Sequence, residues 1–184
     1  MSDGKELGAR TVVLCGDGEP TMDRNLVPMI KHAKANNMIM IIVTNGVIFG
    51  DDETCKKVHN ITGEELLKTI YDCDGSLILK LESLIEEKYD SIVGVQGSYK
   101  KYRKAVERIS DLGFGKCEEG VTRFAFSSVI MKNNIDELKD LKEFADSLNA
   151  QYICKLPSLV GNSLEIINYI AFMDRPNHLI HVAN

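Results

Sequence analysis

Five short apolar runs, spaced about 30 to 40 residues apart, most constrain what this chain can fold into. They are residues 11–15, 38–43, 76–81, 124–129 and 151–156. They are rich in Val, Ile and Leu and nearly continuous, as strands of a parallel sheet read when helices cover them. Helical patterns fill the gaps. Leu26, Met29, Ile30 and Ala33 form one stripe, and Leu66, Leu67 and Ile70 form another. Thr62 and Glu65 give the second helix a capping-box start. Tyr102, Val106 and Ile109 line a third helix, which Gly113 should end. Ile135, Leu138, Leu141, Ala145 and Leu148 line a fourth, with Asn134 as its expected N-cap. Successive βα units predict an α/β fold with right-handed crossovers. Residues 46–62 and 83–99 read as long loops. Residues 163–184 read as a tail or an unfinished element, with a weak helical pattern before Pro176.

Composition narrows the class. The 184 residues are 44% hydrophobic and 27% charged, ordinary for a soluble globular chain. Twenty-two basic residues against 27 acidic ones give a net charge of −5, which disfavours a phosphate-tracking nucleic-acid binder. No apolar run approaches the roughly 18 residues of a membrane span. The N-terminal segment has no apolar core of a secretory signal, so a cytoplasmic location is expected. Cys15, Cys55, Cys73, Cys117 and Cys154 are widely spaced and form no ligand pair. They read as reduced thiols, with Cys15 and Cys154 expected to be packed in the core. The histidines, among them His178 and His181, show no metal-site spacing.

Ligands of α/β folds bind at the carboxyl ends of the strands. After the first run comes Gly16-Asp17-Gly18-Glu19-Pro20-Thr21, whose glycines permit close approach of a ligand and whose carboxylate suits an ammonium. A tight βα turn explains the glycines equally well. Thr44-Asn45-Gly46 follows the second run and is also a common turn. In the third, Leu77, Leu79 and Leu81 alternate with Ile78, Lys80 and Glu82. The leucine face should meet helices. Lys80 and Glu82 should face a barrel interior or crevice, either holding a ligand or satisfying each other at a solvated rim. Ser127 and Ser128 offer hydroxyls on the fourth strand. The basic run Lys100, Lys101, Arg103 and Lys104 reads as the solvated face of a helix.

In this order along the chain, these segments resemble the core of radical S-adenosylmethionine (SAM) enzymes. GDGEPT is similar to the family's GGEP-type motif, and VTNG ends the next strand. LKLES is similar to the ribose segment, and residues 89–114 to the loop and helix after it. Residues 124–141 and YICKLP are similar to the last two strands. The resemblance implies a partial (β/α)6 TIM-like barrel of parallel strands over residues 1–162, missing the first βα unit, with SAM across the strand ends. It implies that Gly16, Gly18 and Glu19 border the methionine amino group and that Thr44 and Asn45 lie beside the methionine. Lys80, Glu82 and Ser83 would meet the ribose or the methionine carboxylate. Ser127 and Ser128 would line the floor, and Leu156 would approach the adenine.

One departure is large. The family's CxxxCxxC, which holds its four-iron four-sulfur cluster, is absent, and residues 2–9 would be a remnant of the helix after it. Reductive cleavage of SAM to a 5′-deoxyadenosyl radical is therefore expected only of a parent protein that supplies the cluster. The chain is expected to be a shortened enzyme, half of a split gene, or a cluster-free SAM-like nucleoside-binding or assembly module. The first-strand edge is expected to pair with a second copy or with a missing segment. A weaker reading makes Lys80 the Schiff-base amine of an aldolase-like enzyme, but neighbouring Glu82 would favour its charged form. The substrate is not legible.

Overall fold

The computed structural model describes residues 2–16, 18–117 and 120–156. Helix α1 (Ser2–Glu6) precedes strand β1 (Thr11–Leu14). A 3₁₀ turn (Pro20–Met22), helix α2 (Leu26–Ala35) and strand β2 (Ile39–Thr44) follow. A second 3₁₀ turn (Val47–Gly50) leads to α3 (Asp52–His59), α4 (Gly63–Asp72) and β3 (Ser76–Lys80). Then come α5 (Glu86–Val93), α6 (Ser98–Leu112) and β4 (Phe124–Val129). A third 3₁₀ turn (Ile135–Glu137), α7 (Leu138–Ser147) and β5 (Gln151–Lys155) complete the described chain. The tail, with Pro176, His178 and His181, lies outside the described residues. Among the described residues no helix is long and apolar enough to cross a membrane.

The five strands form one all-parallel sheet in the order β1-β2-β3-β4-β5. The five apolar runs thus became the five strands, to within a residue or two. Register sets Ile42 beside Leu77, and Leu77 beside Phe124. Met40, Ile42, Leu77, Leu79, Phe124 and Phe126 share one face and are buried. Side chains alternate along a strand, so Val13, Ile41, Val43 and Ile78 share the other face. There Val13 is 54% exposed, and the other three are half-buried.

The buried face meets the expected helical stripes. Leu26, Ile30 and Ala33 come from α2, Leu66, Leu67 and Ile70 from α4, and Tyr102, Val106 and Ile109 from α6. The capping box of α4 is formed: Glu65 N donates to Thr62 Oγ1 at 3.2 Å, and Thr62 N donates to Glu65 Oε2 at 2.7 Å. Gly113 ends α6 at φ 85°, a left-handed value that suits glycine.

Three expectations need correction. Residues 46–62 and 83–99 are not loops throughout, since they hold a 3₁₀ turn, α3 and α5. These are eight-residue helices, too short to show an apolar stripe; α3 buries only Cys55. Asp51 starts α3 instead, accepting from Thr54 N at 3.1 Å. Asn134 stands at the N-cap of the 3₁₀ turn that opens its helix, but its side chain makes no cap hydrogen bond. Its Oδ1 accepts from Met131 N, and its amide donates to the carbonyls of Val129 and Glu82. Cys15 and Cys154 are exposed, one just past and one within an edge strand, whereas Cys55 is buried. As expected, Lys100, Lys101 and Lys104 lie on an exposed face of α6, and the run is also partnered there. Lys101 pairs with Asp51, Lys104 with Asp52, and the Arg103 guanidinium stacks 5.0 Å from the Phe144 ring centroid.

Helix α6 packs hard onto the turn after β2. A methyl added at Gly50 would stand 1.9 Å from the Lys101 carbonyl oxygen. Arg108 donates to the Phe49 carbonyl at 2.6 Å and to both oxygens of Asp52 at 2.8 Å. Asp52 also accepts from Gly63 N at 3.0 Å. One ion pair therefore joins the turn, α3, α4 and α6.

Gly50→Ala is expected to destabilise the fold by about 3 kcal/mol, because the clash is with backbone on a packed helix. Thr62→Ala, which removes only the cap, is expected to cost about 1 kcal/mol. Urea unfolding of both variants checks the ranking.

Candidate functional site

The carboxyl ends of β1 and β2 are tied together by Glu19. Its Oε1 accepts from Thr21 N at 3.1 Å, from Thr21 Oγ1 at 2.7 Å and from the Thr44 hydroxyl. Its Oε2 accepts from Asn45 N at 2.8 Å. Gly46 N donates to Thr44 Oγ1 at 2.9 Å, and Val47 N donates to Asn45 Oδ1 at 3.0 Å. Glu19, Thr44 and Asn45, which the sequence placed at one strand-end site, are thus joined by direct hydrogen bonds. Thr44 is fully buried, so its hydroxyl serves this clamp. A carboxylate has about four acceptor positions, and four protein donors already use Glu19. Gly16 and Gly18 are exposed, and a methyl added at either would meet nothing within 4 Å.

A second cluster closes the ends of β3 and β4. Ser83 is fully buried and donates to Glu137 Oε2 at 2.7 Å; Leu84 N donates to the same oxygen at 3.1 Å. Lys88 forms an ion pair with Glu137 Oε1. Burial acts to raise the Glu137 pKa, but the hydrogen bonds from Lys88, Ser83 and Leu84 outweigh it and hold it low. Ser128 is fully buried, donates to the Leu81 carbonyl and accepts from the Tyr152 hydroxyl at 3.0 Å. Ser127 and Ser128 therefore do not line one floor. Ser127 lies in register with Lys80 on the open face, and Ser128 is on the helix side.

Lys80 and Glu82 form no ion pair among the described residues. Lys80 is exposed, while Glu82 is half-buried with a sealed Oε2 that has no hydrogen-bond partner. Burial pushes its pKa up, against the smaller opposing effects of the Val129 amide and the Lys80 charge. Leu156 is 61% exposed at the end of β5.

Sequence reasoning missed Tyr89. It is almost wholly buried on α5, and burial raises its pKa, helped by the negative charges of Glu82, Asp90 and Glu19. Tyr89 thus stands within the field of both strand-end clusters. With Glu19 and Asn45 it borders a cleft of about 330 Å³, which Val47, Asp51, Val93, Val95, Ser98 and Lys101 also line. The signal was present in the acidic Asp90 set before the αL-prone Gly94 and Gly97, but a helix of two turns hid it. Among the described residues no three His, Cys, Asp or Glu side chains converge as metal ligands. The chain's own thiols do not fit a four-iron cluster.

Glu82 carries a pH signature. Between the ordinary carboxylate pKa and its raised folded value, the folded state holds a proton that the unfolded state has lost. Stability conferred by that proton is complete below the unfolded pKa and falls as pH rises through the folded one. Glu82→Gln is expected to be more stable than the parent at pH 7 and to lose this slope, measured by urea unfolding from pH 4 upward. Glu19→Ala, by contrast, strands four donors. It is expected to cost about 2 to 4 kcal/mol in the same assay.

No protein-family model matches this chain, and no curated protein matches its sequence.

Proposed function

We propose that this chain is the SAM-binding part of a radical SAM-type partial barrel. The observation that carries the reading is the strand order. A parallel sheet wound in simple sequence, with its helices on one face, leaves the other face open. Exposed Lys80 and nearly buried Ser127 lie in register on that open face, with the Glu19 and Glu82 clusters at the strand ends. The motifs that resemble the family fall on these same ends. A sheet curved toward a barrel, rather than flat, belongs to this proposal, as does a cytoplasmic setting for the reduced thiols.

SAM suits the polar groups present. Its ribose hydroxyls can donate to the unpartnered Glu82 oxygen, and its carboxylate can meet Lys80. When bound to a reduced four-iron cluster, SAM supplies a 5′-deoxyadenosyl radical. This chain's residues do not ligate such a cluster, so radical chemistry in the proposal belongs to an assembly with thiolates from elsewhere. What the chain itself does is bind and orient the nucleoside. The cluster-free reading, a nucleoside-binding or assembly module, rests on the same face and on the same five scattered cysteines.

Isothermal titration of the chain with SAM tests the binding. A dissociation constant below about 1 mM is expected. Lys80→Ala, at an exposed position, is expected to weaken it about tenfold without changing the melting temperature. Absence of binding, or binding indifferent to both Lys80→Ala and Glu82→Gln, overturns the assignment.

A further inference from the structure

The cleft beside Tyr89 meets the strand ends at Glu19 and Asn45. Its walls come from the turn after β2, from α3, and from the junction of α5 and α6. At about 330 Å³ it falls at the small end of the range for organic ligands. Val47, Val93 and Val95 give it an apolar wall. The Tyr89 hydroxyl and the Ser98 hydroxyl take no hydrogen bond among the described residues, although Tyr89 is 1% exposed and Ser98 is 7% exposed. Neither hydroxyl is sealed from solvent, so both are open to the cleft and free to partner a ligand there.

Their placement is fixed rather than incidental. Asp90 accepts from Gly97 N at 2.6 Å and from Tyr99 N at 2.8 Å, which locks the backbone on both sides of Ser98. Tyr89 packs against Tyr99 and Tyr102, with ring centroids 5.5 and 5.0 Å away.

The charge around the cleft selects the ligand. Glu19 and Asp51 line it, and Asp90 lies just behind. Among the described lining residues the one cation, Lys101, is held on Asp51 at 2.7 Å. An anion would have to draw Lys101 away and leave Asp51 uncompensated. A cation meets two hydroxyl acceptors in a negative field. That the charges of Glu82, Asp90 and Glu19 all reach the Tyr89 hydroxyl agrees with this.

We propose that this cleft binds a small organic ammonium ion. Its charged head would rest on the Tyr89 and Ser98 hydroxyls, and its apolar body on Val47, Val93 and Val95. The proposal is independent of SAM binding. Glu19 and Asn45 border both sites, but neither is asked to hold the head.

The test is a nitrogen-15 correlation NMR titration of the full chain with three phenyl-capped probes that differ in their head group: phenethylamine, phenethyl alcohol and hydrocinnamate. A probe of this size is expected to bind in the millimolar range. Saturable shifts at the Val47, Val93, Val95 and Ser98 amides are expected with the amine. The alcohol should bind about tenfold more weakly and the carboxylate not at all. Tyr89→Phe is expected to weaken the amine about tenfold. Val95→Trp, at a mouth residue that is 59% exposed, should block it while leaving the melting temperature unchanged. The proposal is overturned if the carboxylate binds as well as the amine, if the shifts lie elsewhere or survive Val95→Trp, or if no probe saturates.

Discussion

Everything in this fold follows from the way its parallel strands are connected. A parallel strand cannot be reached by a hairpin, so each βα unit must cross back over the sheet. Here each crossover lands on the next position, and right-handed connections then put the helices on one side. The leucines of β3 and the phenylalanines of β4 meet them there. The opposite face, with Val13, Ile41 and Ile78, has no helical cover among the described residues. The same winding brings every βα loop to one end of the sheet, which is why the polar clusters gather there.

Carboxylates hold that end together. Glu19 accepts from the amides of Thr21 and Asn45, Asp51 from Thr54, and Asp52 from Gly63. Asp90 accepts from Gly97 and Tyr99, and Glu137 from Leu84. Loop backbone that has no ladder partner needs acceptors, and ionised carboxylates supply strong ones. Part of the acidic excess is thus structural. The side-chain hydrogen bond from Arg108 and the amide of Gly63 hold the Asp52 pKa well below the usual range, against burial. Its contribution to stability is present above the ordinary carboxylate pKa and is lost as pH falls toward the lowered one. Glu82 runs the other way. One of its oxygens, Oε2, is sealed and takes no hydrogen bond, and burial penalises its charge.

Much of this was legible in the residues. The strands are dense in β-branched and aliphatic residues and needed no long-range information, and α4 announced its start with Thr62 and Glu65. What failed was short or tertiary. Helices α3 and α5 bury one or two side chains each, so periodicity could not find them. Cys15 and Cys154 lie at or in apolar runs, but burial depends on neighbours, and β1 and β5 have a partner on only one side. At the strand ends, Glu19, Thr44 and Asn45 come together because they close adjacent strands. Their mutual hydrogen bonds were not foreseeable, since a motif shows which groups meet and not which of them are already used. Tyr89 was missed because part of its setting comes from Glu19, which a distant segment supplies.

That last point bears on how the strand ends can act. A carboxylate with four protein donors is a poor primary anchor, because a new cation must compete for lone pairs that hold β1 and β2 in place. Glu19 therefore acts first by fixing the Asn45 backbone and by lending negative potential to the space above it. Groups with unspent capacity are better anchors: the Glu82 oxygen and Lys80 on one side, the Tyr89 and Ser98 hydroxyls on the other. The charge of the clamp is felt by Tyr89. Any ligand at either set is then read by a frame whose rigidity comes from Glu19 and whose selectivity comes from its neighbours.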